Sequence, residues 1–220
     1  MQQTPIHEHH NPDLLALIPV ESKNLVEVGC SSGALAREFK KISTDCYWLG
    51  IEIDATYAEM AKRYCNKSIV QDIEAAPDSF WEETKNSDCW IFGDTLEHLK
   101  DPWKILKQIR ANIAKTGSVV ACIPNAQHWT LQAKLNIGDF RYVDAGLLDR
   151  THLRWFTRQT IIEMFDQAGF QIEAGAPRIF DEPERTTYLP IIEQMARVSG
   201  VDPQIAVNDC LPFQYVVRAV

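Results

Sequence analysis

Apolar residues fall along this chain in short runs separated by stretches of helical period, and the two rhythms alternate from Asn24 onward. Leu25-Val26-Glu27-Val28, Trp48-Leu49-Gly50-Ile51, Ser68-Ile69-Val70, Cys89-Trp90-Ile91-Phe92 and Val119-Val120-Ala121-Cys122-Ile123 are too short for helices and too continuous for strands with one wet face. They predict parallel strands buried on both faces, the first from residue 24 and the others over residues 47–54, 68–73, 88–94 and 117–125. The intervening period predicts helices over residues 55–64 and 102–114, the second with Asp101 as N-cap and Pro102 in first helical position. A further helix over 157–168 leads into strands 170–180 and 212–219, read as an antiparallel hairpin. The sum is an α/β fold, a doubly wound and mostly parallel seven-stranded Rossmann-like sheet with an antiparallel last strand.

Three segments stand outside this rhythm. Asn11 and Pro12 open an amphipathic helix over residues 11–18, carried by Leu14, Leu15, Leu17 and Ile18 and stopped by Pro19. Residues 126–156 and 181–209 interrupt the regular pattern as insertions, the second with a helical stretch over 190–199. No linker or repeat divides the chain, so residues 1–220 read as one domain, with 1–19 as an N-terminal tail and helix.

Candidate chemistry concentrates in Glu27-Val28-Gly29-Cys30-Ser31-Ser32-Gly33, a strand end, a tight turn and a helix start. Glycines at 29 and 33 permit positive φ, and the helix that follows presents its first N–H groups to the turn. Three chemistries compete for it. Gly29-Cys30-Ser31-Ser32-Gly33 fits a G-x-S-x-G nucleophile elbow with Ser31 as nucleophile and Asp94 and His152 as partners, but almost no sheet precedes it in the sequence. A dinucleotide fingerprint requires glycine where Ser31 and Ala34 stand. A cationic, phosphate-free cofactor asks less of the loop and favours an acid such as Glu27 in the strand.

Downstream spacing favours the third reading. Gly29, Glu52, Asp72 and Asp94 all fall at the carboxyl ends of predicted strands, the edge where open α/β sheets bind ligands. Glu52 lies about twenty residues past the turn, the place of a carboxylate that accepts ribose hydroxyls. The segment from Glu27 to Gly33 resembles motif I of class I S-adenosylmethionine-dependent methyltransferases, with Ser31 in place of the usual middle glycine. Leu96-Glu97-His98-Leu99-Lys100-Asp101-Pro102 resembles a signature of methyltransferases similar to those of ubiquinone biosynthesis. Ile123-Pro124-Asn125 and the block from Leu148 to Thr157 extend the likeness toward a bacterial subgroup acting on polysaccharides, lipids or secondary metabolites.

The resemblance implies a Rossmann-like methyltransferase sheet with S-adenosyl-L-methionine as cofactor. Its binding set would be Glu27, Gly29, Ser31, Gly33, Glu52, Ile53, Asp72, Ile73 and Asp94. Glu52 would hold the ribose, Asp72 and the Ile73 backbone the adenine, and Asp94 would lie near the methionine moiety. The 11–18 helix would close over the cofactor, and the two insertions, as helical caps, would roof an acceptor pocket or form a homodimer interface. Asn125, His128, Trp129, Tyr142 and Arg154 are the candidate substrate residues. For transfer to a hydroxyl, His152 and His98 are the candidate bases, since imidazole titrates near neutrality; each equally suits a structural role. The acceptor would be a small or glycan-like molecule, and the competing function is a non-catalytic S-adenosylmethionine sensor or scaffold.

Composition narrows the field further. A net charge of −8 speaks against a nucleic-acid face. Six cysteines without C-x-x-C spacing suit a reducing cytoplasm, and no apolar run is long enough to span a bilayer. The His7-Glu8-His9-His10 cluster reads as a terminus rather than a metal clip. No metal is expected, because Pro124-Asn125-Ala126 stands where metal-dependent relatives place an Asp-Asn pair.

Overall fold

A computed structural model describes residues 8–220, so His7 of the histidine cluster and the first part of the N-terminal tail lie outside the described residues. The strands are β1 (Asn24–Val28), β2 (Tyr47–Glu52), β3 (Lys67–Val70), β4 (Cys89–Gly93), β5 (Ser118–Pro124), β6 (Ile172–Arg178) and β7 (Gln214–Ala219). They form one seven-stranded sheet in the order β3-β2-β1-β4-β5-β7-β6. β7 pairs antiparallel with β5 and β6, and every other pairing is parallel, as the sequence predicts. The strand order reverses between β1 and β4, with β2 and β4 hydrogen-bonding along opposite edges of β1. At such a switch point the flanking helices leave on opposite faces and a crevice opens beyond the strand ends.

Alternation along the strands builds one core on each face. On one, Leu25, Trp48, Ile91 and Val216 pack with Leu14 and Ile18 around α1 (Pro12–Leu17) and with Leu35 and Phe39 of α2 (Ala34–Ile42). On the other, Val26, Leu49, Trp90 and Ala121 meet Phe80 and Trp81 of α4 (Asp78–Glu83), Ile105 and Ile109 of α5 (Pro102–Asn112), and Ile161 and Phe165 of α7 (Arg158–Gln167). Burial on both sides is why these strands read as unbroken apolar runs. The predicted caps form. The Asn11 side chain accepts from the N–H groups of Asp13 and Leu14, and that of Asp101 from Lys104.

Several boundaries differ from expectation. β3 ends at Val70, so Asp72 lies beyond the strand, where its side chain caps a 3₁₀ turn over Ile73–Ala75. α3 (Ala55–Ala61) stops three residues short of the expected end. In the second insertion α8 spans Arg185–Val198, beginning five residues before Pro190, which sits inside the helix rather than at its start. α4 has no counterpart among the expected helical ranges, and within the insertions neither do two further helices, α6 (Trp129–Asn136) and α9 (Pro203–Cys210). Their apolar positions meet each other's neighbours instead of the sheet: Trp129 of α6, Ile192 and Ala196 of α8, and Ala206 and Cys210 of α9 form a separate small core. The two insertions therefore pack together, joined also by the Trp129 Nε1 hydrogen bond to Glu182 at 2.8 Å.

Candidate functional site

The turn after β1 adopts left-handed backbone at three residues, Gly29 (φ 74°), Ser31 (φ 47°) and Gly33 (φ 79°). A β-carbon on Gly29 would stand 2.7 Å from Thr95 Oγ1, and one on Gly33 3.2 Å from the Ala61 backbone, so both positions need glycine. Gly33 is the N-cap of α2 and no side chain caps that helix, which leaves its positive end directed into the turn. Ser31 has no hydrogen bond to a histidine among the described residues; its N–H donates to Glu52 Oε2 at 2.9 Å.

Glu52 organises this edge of the sheet. It is buried, and its other oxygen accepts from the N–H groups of Ile53 at 2.8 Å and Asp54 at 3.1 Å. One carboxylate thus ties the turn after β1 to the loop after β2. A carboxylate offers about four acceptor directions, so three backbone donors leave capacity for a ligand hydroxyl. Ile53 is exposed beside it. Asp72 is exposed and accepts from the Glu74 N–H, with buried Ile73 heading the 3₁₀ turn. Glu27 points elsewhere than the crevice: it is buried and accepts the Trp48 indole N–H at 3.0 Å. Burial foremost, then the charges of Cys65 and Glu52, lifts its pKa well above the carboxylate range.

Asp94 follows β4 in left-handed conformation and accepts a hydrogen bond from Gln214 Nε2. Gln214 in turn accepts from Arg178, and Arg178 donates to Asp13 of α1 at 2.9 Å. A polar chain from Asp13 to Asp94 thus seats the N-terminal helix over the ends of β4, β6 and β7. Arg178, Gln214 and Asp13 carried no signal in the sequence, since the chain brings them together from positions far apart.

Beyond Asp94 the 3₁₀ turn Leu96–His98 brings Glu97 and His98 against His152. The two imidazoles meet edge to face with centroids 4.8 Å apart. Glu97 is 1% exposed and neither of its carboxylate oxygens has a hydrogen-bond partner; Oε1 lies 3.9 Å from His152 Nε2. His98 Nδ1 lies 3.2 Å from the Thr151 carbonyl oxygen and 3.1 Å from its hydroxyl, which donates to Asp149 at 2.6 Å. The segment is strapped to the 3₁₀ turn because Leu153 and Arg154 both donate their N–H groups to the Glu97 carbonyl, at 2.8 and 3.0 Å. Burial raises the Glu97 pKa, an effect the nearby Asp94 charge reinforces. Burial lowers both histidines, His152 to about 4 with His98 contributing. In both, burial favours the neutral ring.

The other predicted acceptor residues divide. Asn125 is fully buried and holds the backbone together: its amide donates to the carbonyls of Asp209 and Pro212, both at 2.8 Å, and its oxygen accepts from Gln127 N–H. His128 is also fully buried, with Nδ1 2.8 Å from the Thr130 hydroxyl and Nε2 3.2 Å from Glu182. Trp129 is buried between the insertions. Tyr142, by contrast, is 52% exposed and forms an open aromatic group with Phe140 and Trp155, at centroid distances of 5.8 to 6.5 Å. Arg154 lies beside it, its guanidinium donating to the Lys100 carbonyl. A separate apolar groove of about 460 Å³ between α7, α9 and the β6–β7 pair contains none of these residues.

S-adenosylmethionine matches this edge in chemistry. The glycine turn leaves backbone without side chains, α2 offers its positive end to a carboxylate, Glu52 keeps acceptor capacity for hydroxyls, and Asp72 and Asp94 supply further carboxylates to a cationic ligand. A family model described as a methyltransferase domain matches residues 7–174. No protein of curated function is matched. Among solved structures, the chain is similar to a possible histamine N-methyltransferase from Thermotoga maritima, at 16% identity and TM-score 0.60, over 95% of this chain and 86% of that one. It is similar to an S-adenosylmethionine-dependent methyltransferase from Mesorhizobium loti, at 15% identity and TM-score 0.60, over 94% and 95%. It is also similar to the magnesium protoporphyrin IX methyltransferase of Synechocystis PCC 6803, solved with S-adenosylhomocysteine, at 13% identity and TM-score 0.58, over 94% and 78%. Among the described residues no helix is long and apolar enough to cross a membrane.

Proposed function

The chain belongs to the methyltransferase domain family and is an S-adenosylmethionine-dependent enzyme, and from that premise we propose that it methylates a hydroxyl of a small or glycan-like acceptor held over the ends of β4 and β5. The observation that carries this reading is the joining of two features by one short strap. The Glu97–His98–His152 cluster sits directly past Asp94, and the strap of Leu153 and Arg154 ties it to Trp155 and the open aromatic group. An acceptor ring lying on Phe140, Tyr142 and Trp155 is thereby carried to the mouth of the histidine cluster.

When bound, the cofactor supplies a methyl group on a positively charged sulfur. The protein's share is positioning, which dominates in a displacement of this kind. The turn from Gly29 to Gly33 and Glu52 fix the nucleoside side, with Asp72 and the Ile73 backbone at the base. Asp94, braced by Gln214, holds the other end. The hydroxyl's proton leaves toward the Glu97–His98–His152 cluster, where burial favours the neutral rings. The aromatic group offers stacking surface worth roughly 0.5–1.5 kcal/mol per ring pair.

Calorimetric titration with S-adenosylhomocysteine tests the cofactor half. Wild type is expected to bind at micromolar affinity, Asp72→Ala at least tenfold more weakly, with a melting temperature lower by only the few degrees that loss of its cap on the 3₁₀ turn costs. A panel of phenolic and sugar hydroxyls assayed for S-adenosylhomocysteine release tests the other half. Trp155→Ala should raise KM for the turned-over acceptor without altering cofactor affinity. Tight cofactor binding with no turnover of any acceptor would favour the non-catalytic sensor instead.

A further inference from the structure

We propose that Glu97, His98 and His152 form a binding site for one divalent first-row transition ion at the acceptor end of the crevice. One ligand atom from each residue lies within 4.8 Å of the other two. Two imidazoles and one carboxylate are a donor set suited to zinc, iron(II) or cobalt(II), and poorly suited to magnesium, which prefers oxygen.

The independent observation is the state of Glu97. Both carboxylate oxygens are buried and neither accepts a hydrogen bond, in a residue 1% exposed. A buried carboxyl group whose two oxygens lack partners is costly in either protonation state, and buried charges are found paired or bound to metals. Apart from its own backbone N–H, the neighbouring groups offer it little relief. The His152 Nε2 atom lies 3.9 Å away, outside hydrogen-bond range, and the Leu153 and Arg154 N–H groups go to the Glu97 backbone carbonyl rather than to its side chain.

His98 has the outer support that metal-bound histidines carry. Its Nδ1 faces the Thr151 carbonyl and hydroxyl, and that hydroxyl donates to Asp149, whose carboxylate also accepts from the Thr151 N–H at 2.8 Å. Such a partner fixes ring orientation and directs Nε2 to the ion. Ligand atoms of a tetrahedral ion at about 2.0–2.1 Å would stand about 3.4 Å apart, so binding draws the three groups together by side-chain rotation. Three protein ligands leave a position open, the arrangement of catalytic rather than structural sites. Water or an acceptor hydroxyl in that position would have its pKa lowered. This last role rests on the hydroxyl-methylation reading above and, because the ion engages the imidazole lone pairs, it takes the place of their service as proton acceptors; the site itself does not rest on that reading. It also runs against the sequence expectation that no metal is used, which weighed the His7–His10 cluster and the segment after β5 but not Glu97.

Chelator-stripped protein titrated with Zn²⁺ by calorimetry, and with Co²⁺ by visible absorption, tests the site. One equivalent should bind at micromolar affinity or tighter, with tetrahedral or five-coordinate cobalt bands. Glu97→Gln and His152→Ala should each weaken binding at least tenfold. Glu97→Gln is nearly isosteric, and S-adenosylhomocysteine titration of the same variant reports whether the fold survives. A variant replacing His7, His9 and His10 by alanine should bind as wild type does. No saturable binding by wild type, or affinity lost only in the histidine-tail variant, overturns the proposal. Cofactor binding without metal binding sinks this inference alone, whereas loss of cofactor binding in wild type sinks the methyltransferase site.

Discussion

Gly29→Ala is the substitution whose consequences follow most directly from the geometry. Gly29 sits at φ 74°, where a β-carbon costs about 1–2 kcal/mol. The new methyl would also stand 2.7 Å from Thr95 Oγ1 and 3.2 Å from its Cγ2, closer than packed atoms approach. Thr95 is not free to yield without loss, because its hydroxyl lies 3.0 Å from the Val28 carbonyl and 3.2 Å from that of Gly93, bridging the ends of β1 and β4. Displacing it forfeits a hydrogen bond and strands an acceptor, about 1–3 kcal/mol. The two contributions together give about 2–5 kcal/mol, or a melting temperature lower by about 4–20 °C for a chain of this size.

A double-mutant cycle separates them. Thr95→Ala removes both atoms that the new methyl would meet, so in that background Gly29→Ala should cost only the backbone part. The coupling energy from urea unfolding should then be about 1–3 kcal/mol in favour of the double variant. Costs equal within about 0.5 kcal/mol in the two backgrounds would mean that the sites act independently, and the Thr95 contact would not be the reason for glycine. A cost below about 0.5 kcal/mol for Gly29→Ala alone would refute the left-handed requirement as well. If the same turn holds the cofactor as proposed, S-adenosylhomocysteine affinity should fall more than tenfold in the single variant.

Glu27 gives a pH test. Its folded pKa lies well above the ordinary value through burial, so the native state holds a proton that the unfolded chain releases. Stability should therefore fall as pH rises from about 4.3 toward the folded pKa. Glu27→Gln keeps an acceptor for the Trp48 indole and removes this dependence; its urea midpoint should exceed wild type at pH 8 and match it near pH 4. A difference that is the same at both pH values would contradict the assignment. Asn125→Ala leaves the Asp209 and Pro212 carbonyls and the Gln127 N–H without their partner in a fully buried place. It should destabilise the protein by about 3–5 kcal/mol, and a melting temperature within 2 °C of wild type would show that water or relaxation replaces those bonds.

What the sequence revealed and what it concealed follow one physical division. The sheet was legible because its central strands β1, β2, β4 and β5 are buried by helices on both faces, so their runs must be largely apolar, and because the glycine turn and the strand-end acids recur at fixed spacing from them. Trp48 and Trp90 were bound to be interior wherever the helices lay. The helices of the insertions were harder to read because they bury little and pack on one another. Trp129, Ile192 and Ala206 face a core that exists only once 126–156 and 181–209 have met, and no periodicity within either segment announces it. Pro190 misled for a specific reason: proline favours the first turn of a helix, and here it lies in the interior of α8.

The same division runs through the site. Glycines and strand-end carboxylates act through backbone position, which local sequence specifies. Histidines act through partners, which it does not. His128 and His152 are both buried histidines in the same insertion region, yet one is braced by Thr130 and Glu182, and the other stands beside a carboxylate with no hydrogen bond of its own. That difference was invisible in Leu96-Glu97-His98, where Glu97 drew no attention beside its neighbour. The acid, not the imidazoles, is the anomalous member of the cluster, since two neutral rings can rest in an apolar pocket far more cheaply than an unpaired carboxylate can. Chemistry at the acceptor end should therefore be traced from Glu97 outward.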